Sequence, residues 1–241
     1  MKNQLKSLLE ELKVADIPEK LEKLETYRSE ILDWNKKVNI TKIVEEDDFY
    51  RLHYIDSLMC TGSIEFTEAE TVIDVGTGGG FPGIPMAIVF PEKRFTLLDS
   101  SRKRLNIIGE LAEKLDINNI EIIHGRAEEV ARQKKYREKF DLCVSRAVAN
   151  LSTLSEYCLG FVKIGGGMIA YKGPGGYEEI ENAEIAIETM GGFLDRVEDI
   201  DDISLKMEIP ERHMWIYISK DTNTPSKYPR SCGKPQSNPI K

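Results

Sequence analysis

The sequence predicts an α/β fold with a mostly parallel sheet, preceded by a helical extension. From Thr71 onward, short apolar segments alternate with helical patterns, which is typical of strands covered by helices on both faces. The first 60 residues show only helical periodicity. The length of 241 residues suits one α/β domain and a smaller extension. We therefore expect a helical cap at 1–60, an α/β domain at 61–220 and a flexible basic tail at 221–241.

Apolar residues at helical spacing predict the helices of the cap. One face of the first helix carries Leu5, Leu8, Leu9 and Leu12. Pro18 stands at the start of a second, amphipathic helix that continues to Trp34. A third helix is expected over Glu46–Cys60. We interpret this region as a cap and not as a second catalytic domain.

Five strand–helix pairs are predicted after the cap. The strands are expected at 71–75, 94–99, 120–125, 140–145 and 166–173. The helices are expected near 84–90, 102–115, 128–134, 151–162 and 177–190. The segments FLDRVED and HMWIYISK then predict an antiparallel pair, with a connection near 203–212. The final residues contain four prolines and no apolar periodicity, which indicates a flexible or extended tail.

Composition excludes several classes of protein. No apolar run approaches the ~18 residues of a membrane span, and the N-terminus lacks the pattern of a secretory signal. The four cysteines include no CxxC pair and the three histidines cluster with nothing, so neither a disulfide framework nor a metal site is expected. We expect a cytoplasmic protein with no membrane or metal partner, and a monomer.

The charge is unevenly distributed along the chain. The net charge of −8 is unusual for a nucleic-acid binder, but 12 of the acidic residues lie in 178–212 with only 3 basic ones. Residues 102–139 hold 10 basic and 7 acidic residues, and 222–241 hold four basic residues and no acid. These segments predict one acidic surface and one or more basic surfaces. Ordinary solvated helix faces explain the same pattern, so both interpretations stay open.

A glycine-rich turn directly follows the first predicted strand. Its pattern D-x-G-x-G-x-G consists of Asp74, Gly76, Gly78 and Gly80. Doubly wound sheets bind ligands beyond the carboxyl ends of their strands, and glycines let the backbone approach the ligand closely. An acid at the end of this strand suits a cationic ligand with an α-amino group, such as S-adenosylmethionine. Asp99, followed by Ser100, ends the second strand, where a carboxylate accepts hydrogen bonds from ribose hydroxyls.

The same turn leaves a dinucleotide site open. Gly78, Gly80 and Gly83 satisfy the pattern GxGxxG, which would indicate an NAD(P)-dependent oxidoreductase. In the register that begins at Gly76, however, the third glycine is replaced by Phe81. We therefore favour S-adenosylmethionine and keep NAD(P) as the alternative.

Several segments together resemble one family over nearly the whole chain. They are NITKI (39–43), HYIDS (53–57), VIDVGTGGGFPGIPMAIVFP (72–91), FTLLDSSRKR (95–104), AEE (127–129), VSRAVA (144–149), YKG (171–173) and the tail SKYPRSCGKPQSNPI. The block containing GFPGIP is far more specific than a generic methyltransferase turn. On these motifs the chain closely resembles the ribosomal RNA small subunit methyltransferase G family, also called glucose-inhibited division protein B.

The resemblance implies a fold, a reaction and a partner. The fold is that of class I S-adenosylmethionine-dependent methyltransferases, Rossmann-like with a mostly parallel sheet of seven strands. The reaction transfers a methyl group from S-adenosylmethionine to N7 of a guanosine in the 530 loop of 16S rRNA. The expected partner is therefore 16S rRNA or the small ribosomal subunit.

The resemblance also implies a set of cofactor residues. Gly76 and Phe81 would line the cofactor, Asp99 would hold its ribose, and Ala127 and Glu128 would frame its adenine. The full predicted set is Asp74, Gly76, Gly78, Gly80, Phe81, Asp99, Ser100, Ala127, Glu128 and Arg146.

Guanine N7 already has an exposed lone pair, so the reaction needs no general base. We therefore assign Arg146 and Lys172 as positioning groups. The predicted RNA-binding residues are Arg102, Lys103, Arg104, Arg126, Tyr171, Lys172, Lys227 and Arg230. The acidic segment Glu178–Arg212 is expected to face away from the RNA.

Other functions stay open from the sequence alone. One is a non-catalytic rRNA-binding or assembly factor that retains the cofactor fold, although the intact glycine turn and Asp99 argue against it. Another is a methyltransferase whose acceptor is a small molecule or a protein. His53 and Asp56 lie three residues apart on one helical face, which fits either RNA contact or helix packing and capping.

Overall fold

The computed structural model describes residues 1–199 and 213–241, and its centre is a sheet of seven strands. The strands are β1 (Thr71–Val75), β2 (Arg94–Asp99), β3 (Ile120–His124), β4 (Phe140–Arg146), β5 (Val162–Lys172), β6 (Gly192–Asp199) and β7 (Met214–Lys220). Their order is β3-β2-β1-β4-β5-β7-β6. The first five strands are parallel, whereas β7 runs antiparallel to both β5 and β6. The predicted α/β architecture and the antiparallel final pair are confirmed.

Helices connect the parallel strands. They are α6 (Gly83–Val89), α7 (Arg102–Lys114), α8 (Ala127–Val130), α9 (Leu151–Cys158), α10 (Gly176–Glu181) and α11 (Glu184–Thr189). The single helix predicted over 177–190 is wrong, because Asn182 and Ala183 separate α10 from α11. The predicted connection at 203–212 lies outside the described residues. Within the described ranges, no helix is both long and apolar enough to cross a membrane.

Helices also precede the sheet. They are α1 (Lys2–Glu11), α2 (Ile17–Asn35), α3 (Glu46–Phe49), a π-helical turn at Tyr50–Ile55, α4 (Asp56–Met59), a 3₁₀ turn at Cys60–Gly62 and α5 (Ile64–Glu68). Tyr27 of α2 is fully buried and shares one hydrophobic cluster with Ile84 of α6 and Leu111 of α7. Its hydroxyl donates to the Gly79 carbonyl at 2.8 Å. The N-terminal helices therefore pack into the core of the α/β domain.

The opposite face of the sheet carries a second hydrophobic cluster. It includes Leu154 of α9 and Ile187 of α11. Every residue of α9 is buried, which is unusual for a helix of this position because one face normally meets solvent. Part of this cover comes from the C-terminal tail, which forms hydrogen bonds with Ser152, Thr153 and Glu156 of α9.

The prediction of a flexible tail is corrected by these contacts. Arg132 and Arg137 donate to tail carbonyls, including that of Pro229 at 2.7 Å and that of Tyr228 at 2.9 Å. A short helix, α12 (Lys234–Ser237), follows. The guanidinium groups donate to backbone carbonyls, and such bonds need no apolar periodicity in the segment that accepts them. A prediction from apolar periodicity therefore could not detect this packing.

One ion pair anchors the tail to α9. The Glu156 carboxylate is fully buried. It accepts from the Arg230 backbone N–H at 2.6 Å, from Nε at 3.0 Å and from Nη2 at 2.7 Å. A buried charge is stable only when it is paired and hydrogen-bonded, and this carboxylate meets both conditions through one residue of the tail.

The glycine turn lies where the strand order reverses. β1 contacts β2 on one side and β4 on the other, so the chain ends that follow β1 and β4 border a crevice of the kind that binds ligands in such sheets. Gly76 follows β1 with φ +79°, and Gly78 and Gly80 also have positive φ. These backbone conformations favour glycine.

Asp74 supports this turn from below. Its carboxyl is buried, and Oδ2 accepts from the Gly83 N–H at the start of α6 at 2.9 Å. Burial raises the pKa of Asp74 to about 6, although the hydrogen bond from the Gly83 N–H opposes the rise. The carboxyl therefore shapes the turn and the start of α6.

Glu156→Gln tests the anchor of the tail. The amide of Gln has one acceptor oxygen and cannot accept from all the N–H groups of Arg230. Some N–H groups of the Arg230 guanidinium would then lack a partner in the protein interior. We expect the free energy of unfolding to fall by about 3 kcal/mol, measured by urea denaturation. Asp33→Asn, which breaks an exposed pair with Lys36, should leave stability unchanged within error. If Glu156→Gln had the same urea midpoint of unfolding as the wild type, the Glu156–Arg230 pair would not anchor the tail.

Asp74→Asn tests the raised pKa of Asp74. The pKa of Asp74 in the folded state lies above its ordinary value of 3.8. Protonated Asp74 therefore stabilises the fold fully below about pH 4, and this contribution is lost as pH rises through about 6. The Asn variant does not titrate. Between about pH 4 and about pH 7, the free energy of unfolding of the wild type should therefore fall by up to about 3 kcal/mol relative to that of the variant. Parallel curves for the two proteins would refute the shift, and Asp221→Asn, at an exposed carboxyl, controls for the loss of charge.

Candidate functional site

Two cavities open at the crevice, on either side of the segment that follows β4. The smaller has a volume of about 290 Å³ and the larger about 670 Å³. Ala147 and Val148 line both of them. Ligands in the two cavities would therefore meet at this shared wall.

The smaller cavity lies beyond the ends of β1, β2 and β3. Its lining consists of Val75, Gly76, Leu98, Asp99, Ser100, Arg104, Gly125, Arg126, Ala127, Glu128, Ala147, Val148, Tyr157 and Gln236. Asp99 Oδ2 accepts from the Gly78 N–H at 2.9 Å, and Oδ1 accepts from the Ser101 N–H at 2.7 Å. Each carboxylate oxygen has a further lone pair, so Asp99 can still accept from two sugar hydroxyls.

The structure brings together half of the predicted cofactor set at this cavity. Those residues are Gly76, Asp99, Ser100, Ala127 and Glu128. Asp74, Gly80 and Phe81 are buried beneath the turn instead, and the Gly78 N–H is bound to Asp99. Phe81 is placed there because its ring stacks on His53, with centroids 4.0 Å apart. The structure thus places Asp74 and Phe81 behind the turn, where they support it, and their contact with a cofactor stays a prediction.

The chemistry of this cavity fits a nucleoside ligand without phosphates. A dinucleotide would place its pyrophosphate on the N-terminus of α6. The Gly83 N–H, however, is already bound by Asp74, and all residues of α6 are buried. In contrast, Asp99 and Glu128 offer carboxylates to sugar hydroxyls, an amino group or a cation. The residues present therefore fit S-adenosylmethionine better than NAD(P).

Gly76 lets the two cavities approach each other. A Cβ at this position would collide with Val148 Cγ2. The absence of a side chain at Gly76 therefore allows the shared wall to lie directly against the glycine turn.

Arg146 is the central cation of the larger cavity. Nη1 donates to the Leu52 carbonyl and to Asp56 Oδ2, both at 2.6 Å. Nη2 lies 3.0 Å from His53 Nδ1. Three acceptors from the N-terminal helices thus fix the guanidinium plane. Arg146 lines the larger cavity and not the smaller one, so its contact with a cofactor stays a prediction.

His53 is a neutral acceptor for Arg146. Burial, and secondly the charge of Arg146, lower the pKa of His53 to about 3. Because Nδ1 faces the Arg146 donor, the ring proton is assigned to Nε2, which donates to Thr41 Oγ1 at 2.8 Å. Both ring nitrogens are engaged, so His53 orients Arg146 and is not free to carry a proton.

Asp56 joins Arg146 to a second histidine. The carboxylate is buried, and its Oδ1 lies 2.8 Å from His213 Nδ1. Burial raises its pKa, but the hydrogen bond from His213 and the charge of Arg146 outweigh this and leave the pKa below its ordinary value. The expectation that the histidines cluster with nothing is therefore wrong for His53 and His213.

Sequence reasoning missed His213, Thr41 and Gln236 as site residues. The spacing of His53 and Asp56 marked part of this cluster, but only the antiparallel placement of β7 beside β5 brings His213 to Asp56. No local pattern in the sequence records that approach.

Lys172 and Tyr171 also border the larger cavity, but both are engaged. Lys172 Nζ donates to the Ala149 carbonyl and to Glu179 Oε2, each at 2.6 Å. The buried Tyr171 hydroxyl donates to the Ser57 carbonyl at 2.9 Å. Tyr171 is therefore a packing residue and not an exposed platform for an RNA base. Glu179 faces this cavity, so the acidic segment does not lie wholly away from the site.

The other predicted RNA-binding residues divide by exposure. Arg102, Lys103, Arg126 and Lys227 are exposed, and Arg104 is half-buried at the smaller cavity. Arg230 is committed to Glu156, so its predicted RNA contact is corrected to an anchoring role. Within residues 1–199 and 213–241, no group of three or more potential ligands could hold a metal ion.

Comparison with solved structures supports the fold. The O-methyltransferase from Bacillus cereus in complex with SAH matches with a TM-score of 0.55 at 15% identity, over 81% of this chain and 91% of that one. The protein TYW2 of M. jannaschii in complex with AdoMet matches with a TM-score of 0.51 at 17% identity, over 74% of this chain and 79% of that one. These likenesses confirm the predicted class I methyltransferase fold.

Sequence comparison identifies the family. Residues 20–206 match the family model described as GidB, rRNA small subunit methyltransferase G. The protein of that name from Clostridium botulinum is 48% identical over 92% of both chains. The one from Alkaliphilus oremlandii is 43% identical over 99% of this chain and 100% of its own. The chain belongs to the rRNA small subunit methyltransferase G family, as its motifs predicted.

Proposed function

We propose that this chain transfers a methyl group from S-adenosylmethionine to N7 of a guanosine in the 530 loop of 16S rRNA. The observation that carries the proposal is the pair of cavities that share the Ala147–Val148 wall. One cavity fits a nucleoside without phosphates, and the other is large enough for a base and contains a fixed guanidinium. The names of the relatives supply rRNA as the acceptor.

Residues of the smaller cavity would hold the cofactor. Asp99 would accept from its ribose hydroxyls, and Ala127 and Glu128 would lie beside its adenine. Bound there, S-adenosylmethionine supplies a methyl group on a positively charged sulfur that an electron pair can attack. Because Gly76 has no side chain, the shared wall lies directly against the turn, and ligands on its two sides would come close together.

Among the described residues, neither His53 nor Lys172 at the larger cavity is free to act as a base, and the reaction requires none. Guanine N7 presents a lone pair without a proton to remove. His53 is neutral with both nitrogens engaged, and Lys172 is bound to Glu179. The enzyme therefore acts by alignment of the acceptor with the methyl group, which can supply a large part of the rate enhancement.

Arg146 is the group best placed to align the base. Among the described residues, its Nε–H and one Nη2–H have no hydrogen-bond partner. Guanine O6 accepts hydrogen bonds beside N7. We infer that these two N–H groups orient the base through O6 and leave N7 free for the methyl group.

Asp56→Asn tests this alignment. The amide keeps the size of the side chain but cannot accept from both Arg146 and His213, so the guanidinium loses its fixed orientation. We expect kcat to fall roughly 10- to 100-fold, whereas the Kd for S-adenosylmethionine should change less than about threefold because Asp56 lies outside the smaller cavity. Single-turnover methylation and calorimetric titration measure the two quantities.

Asp47→Asn is the matched control, because Asp47 is an exposed carboxyl of the same helical region. Equal losses of cofactor binding and rate in Asp56→Asn would assign Asp56 a purely structural role. Unchanged kcat would overturn the alignment by Arg146.

The proposed function itself is tested by methyl transfer from labelled S-adenosylmethionine to small ribosomal subunits from cells that lack this protein. Deproteinised rRNA is assayed in parallel, and the labelled nucleoside is identified. We expect label in N7-methylguanosine from the 530 loop. Label in another nucleoside, or in protein, would overturn the proposed acceptor, and no label together with no binding of S-adenosylmethionine would overturn the reaction class.

A further inference from the structure

We propose that the C-terminal tail completes the cofactor site and that Gln236 binds the adenine of S-adenosylmethionine. This inference rests on the proposed function, since it concerns the same cofactor. It gives the tail a binding role in addition to packing.

The tail reaches the smaller cavity at one defined end. Gln236 belongs to α12 and lines the cavity together with Asp99 and Glu128. The backbone N–H of Gly233 donates to Glu128 Oε1 at 2.9 Å. α12 therefore lies over the Glu128 end of the cavity, beyond the carboxylate of Asp99 that suits a ribose.

Hydrogen bonds to α9 hold this part of the tail in place. Thr153 Oγ1 donates to the Pro235 carbonyl at 3.1 Å, and Ser152 Oγ donates to the Ile240 carbonyl at 2.5 Å. Pro235, which precedes Gln236, is buried. The backbone on both sides of Gln236 is thus fixed, which lowers the entropy lost when its side chain binds a ligand.

The side chain of Gln236 has the donor and acceptor that adenine requires. Adenine presents an amino donor next to a ring-nitrogen acceptor, and a planar carboxamide can pair with both. Among the described residues that line the smaller cavity, Gln236 is the one carboxamide. Its side chain is exposed and forms no hydrogen bond within the described parts of the chain, so both of its polar atoms are available.

Glu128 alone is a poorer partner for adenine. A carboxylate only accepts hydrogen bonds, and one of its oxygens already accepts from Gly233. Glu128 can accept from the amino group but cannot donate to the ring nitrogen. Gln236 supplies the missing donor, so the two side chains together distinguish adenine from a base without the 6-amino group.

Calorimetric titration with S-adenosylhomocysteine measures the contribution of Gln236. We expect Gln236→Ala to weaken binding about tenfold, and Gln236→Glu to weaken it at least as much because a carboxylate cannot donate. Ser237→Ala, at an exposed neighbour on the same helix, should bind within about twofold of the wild type. Melting temperatures without ligand should agree among all four proteins, since Gln236 makes no contact that folding requires.

A second pair of ligands separates adenine recognition from a general defect of the tail. 5′-Methylthioadenosine and its analogue without the 6-amino group are titrated into the wild type and Gln236→Ala. Removal of the amino group should weaken binding to the wild type more than to the variant, by a factor of about five. Equal effects in both proteins, or wild-type affinity of Gln236→Ala for S-adenosylhomocysteine, would overturn the inference. Failure of the wild type to bind S-adenosylhomocysteine would instead overturn the proposed function.

Discussion

The buried carboxylate of Asp56 is the constraint on which the site depends. It lies between Arg146, at the end of β4, and His213, at the start of β7. A carboxylate without these partners could not remain charged when it is buried away from water. The N-terminal helices, the centre of the sheet and its antiparallel edge are therefore joined at one side chain, and this junction forms the wall of the larger cavity. His53 and the Leu52 carbonyl are further acceptors for the same guanidinium, and His53 remains neutral because it is buried beside that cation.

The two ends of the chain close the crevice from opposite sides. The N-terminal helices share a core with α6 and α7, whereas the tail covers α9 on the other face. α9 begins shortly after the wall formed by Ala147 and Val148, so the tail lies close to that wall as well as to the Glu128 end of the smaller cavity. The N-terminal helices share the core of the α/β domain, and both terminal regions contribute residues that line the two cavities.

Periodicity and turn chemistry predicted the strands, their parallel order and the position of the crevice, because these follow from local patterns. Turn chemistry singled out Asp99, and the family resemblance singled out Ala127 and Glu128; the structure places all three at one cavity. The motifs did not predict that Phe81 and Tyr171 are buried, since a motif does not show whether a ring faces a ligand or the core. Sequence reasoning missed His213 for a different reason: the contact with Asp56 joins residues far apart in sequence and depends on how β7 pairs with β5.

The tail shows most clearly why composition alone misled. Four prolines and the lack of apolar periodicity are typical of chains that cannot bury enough apolar surface to order themselves. Here the order comes from outside the segment. Arg132 and Arg137 donate to its carbonyls, and the buried Glu156 binds Arg230. A polar segment with no core of its own is thus held by donors and by a buried charge on the folded domain, and this places Gln236 of α12 at the edge of the smaller cavity.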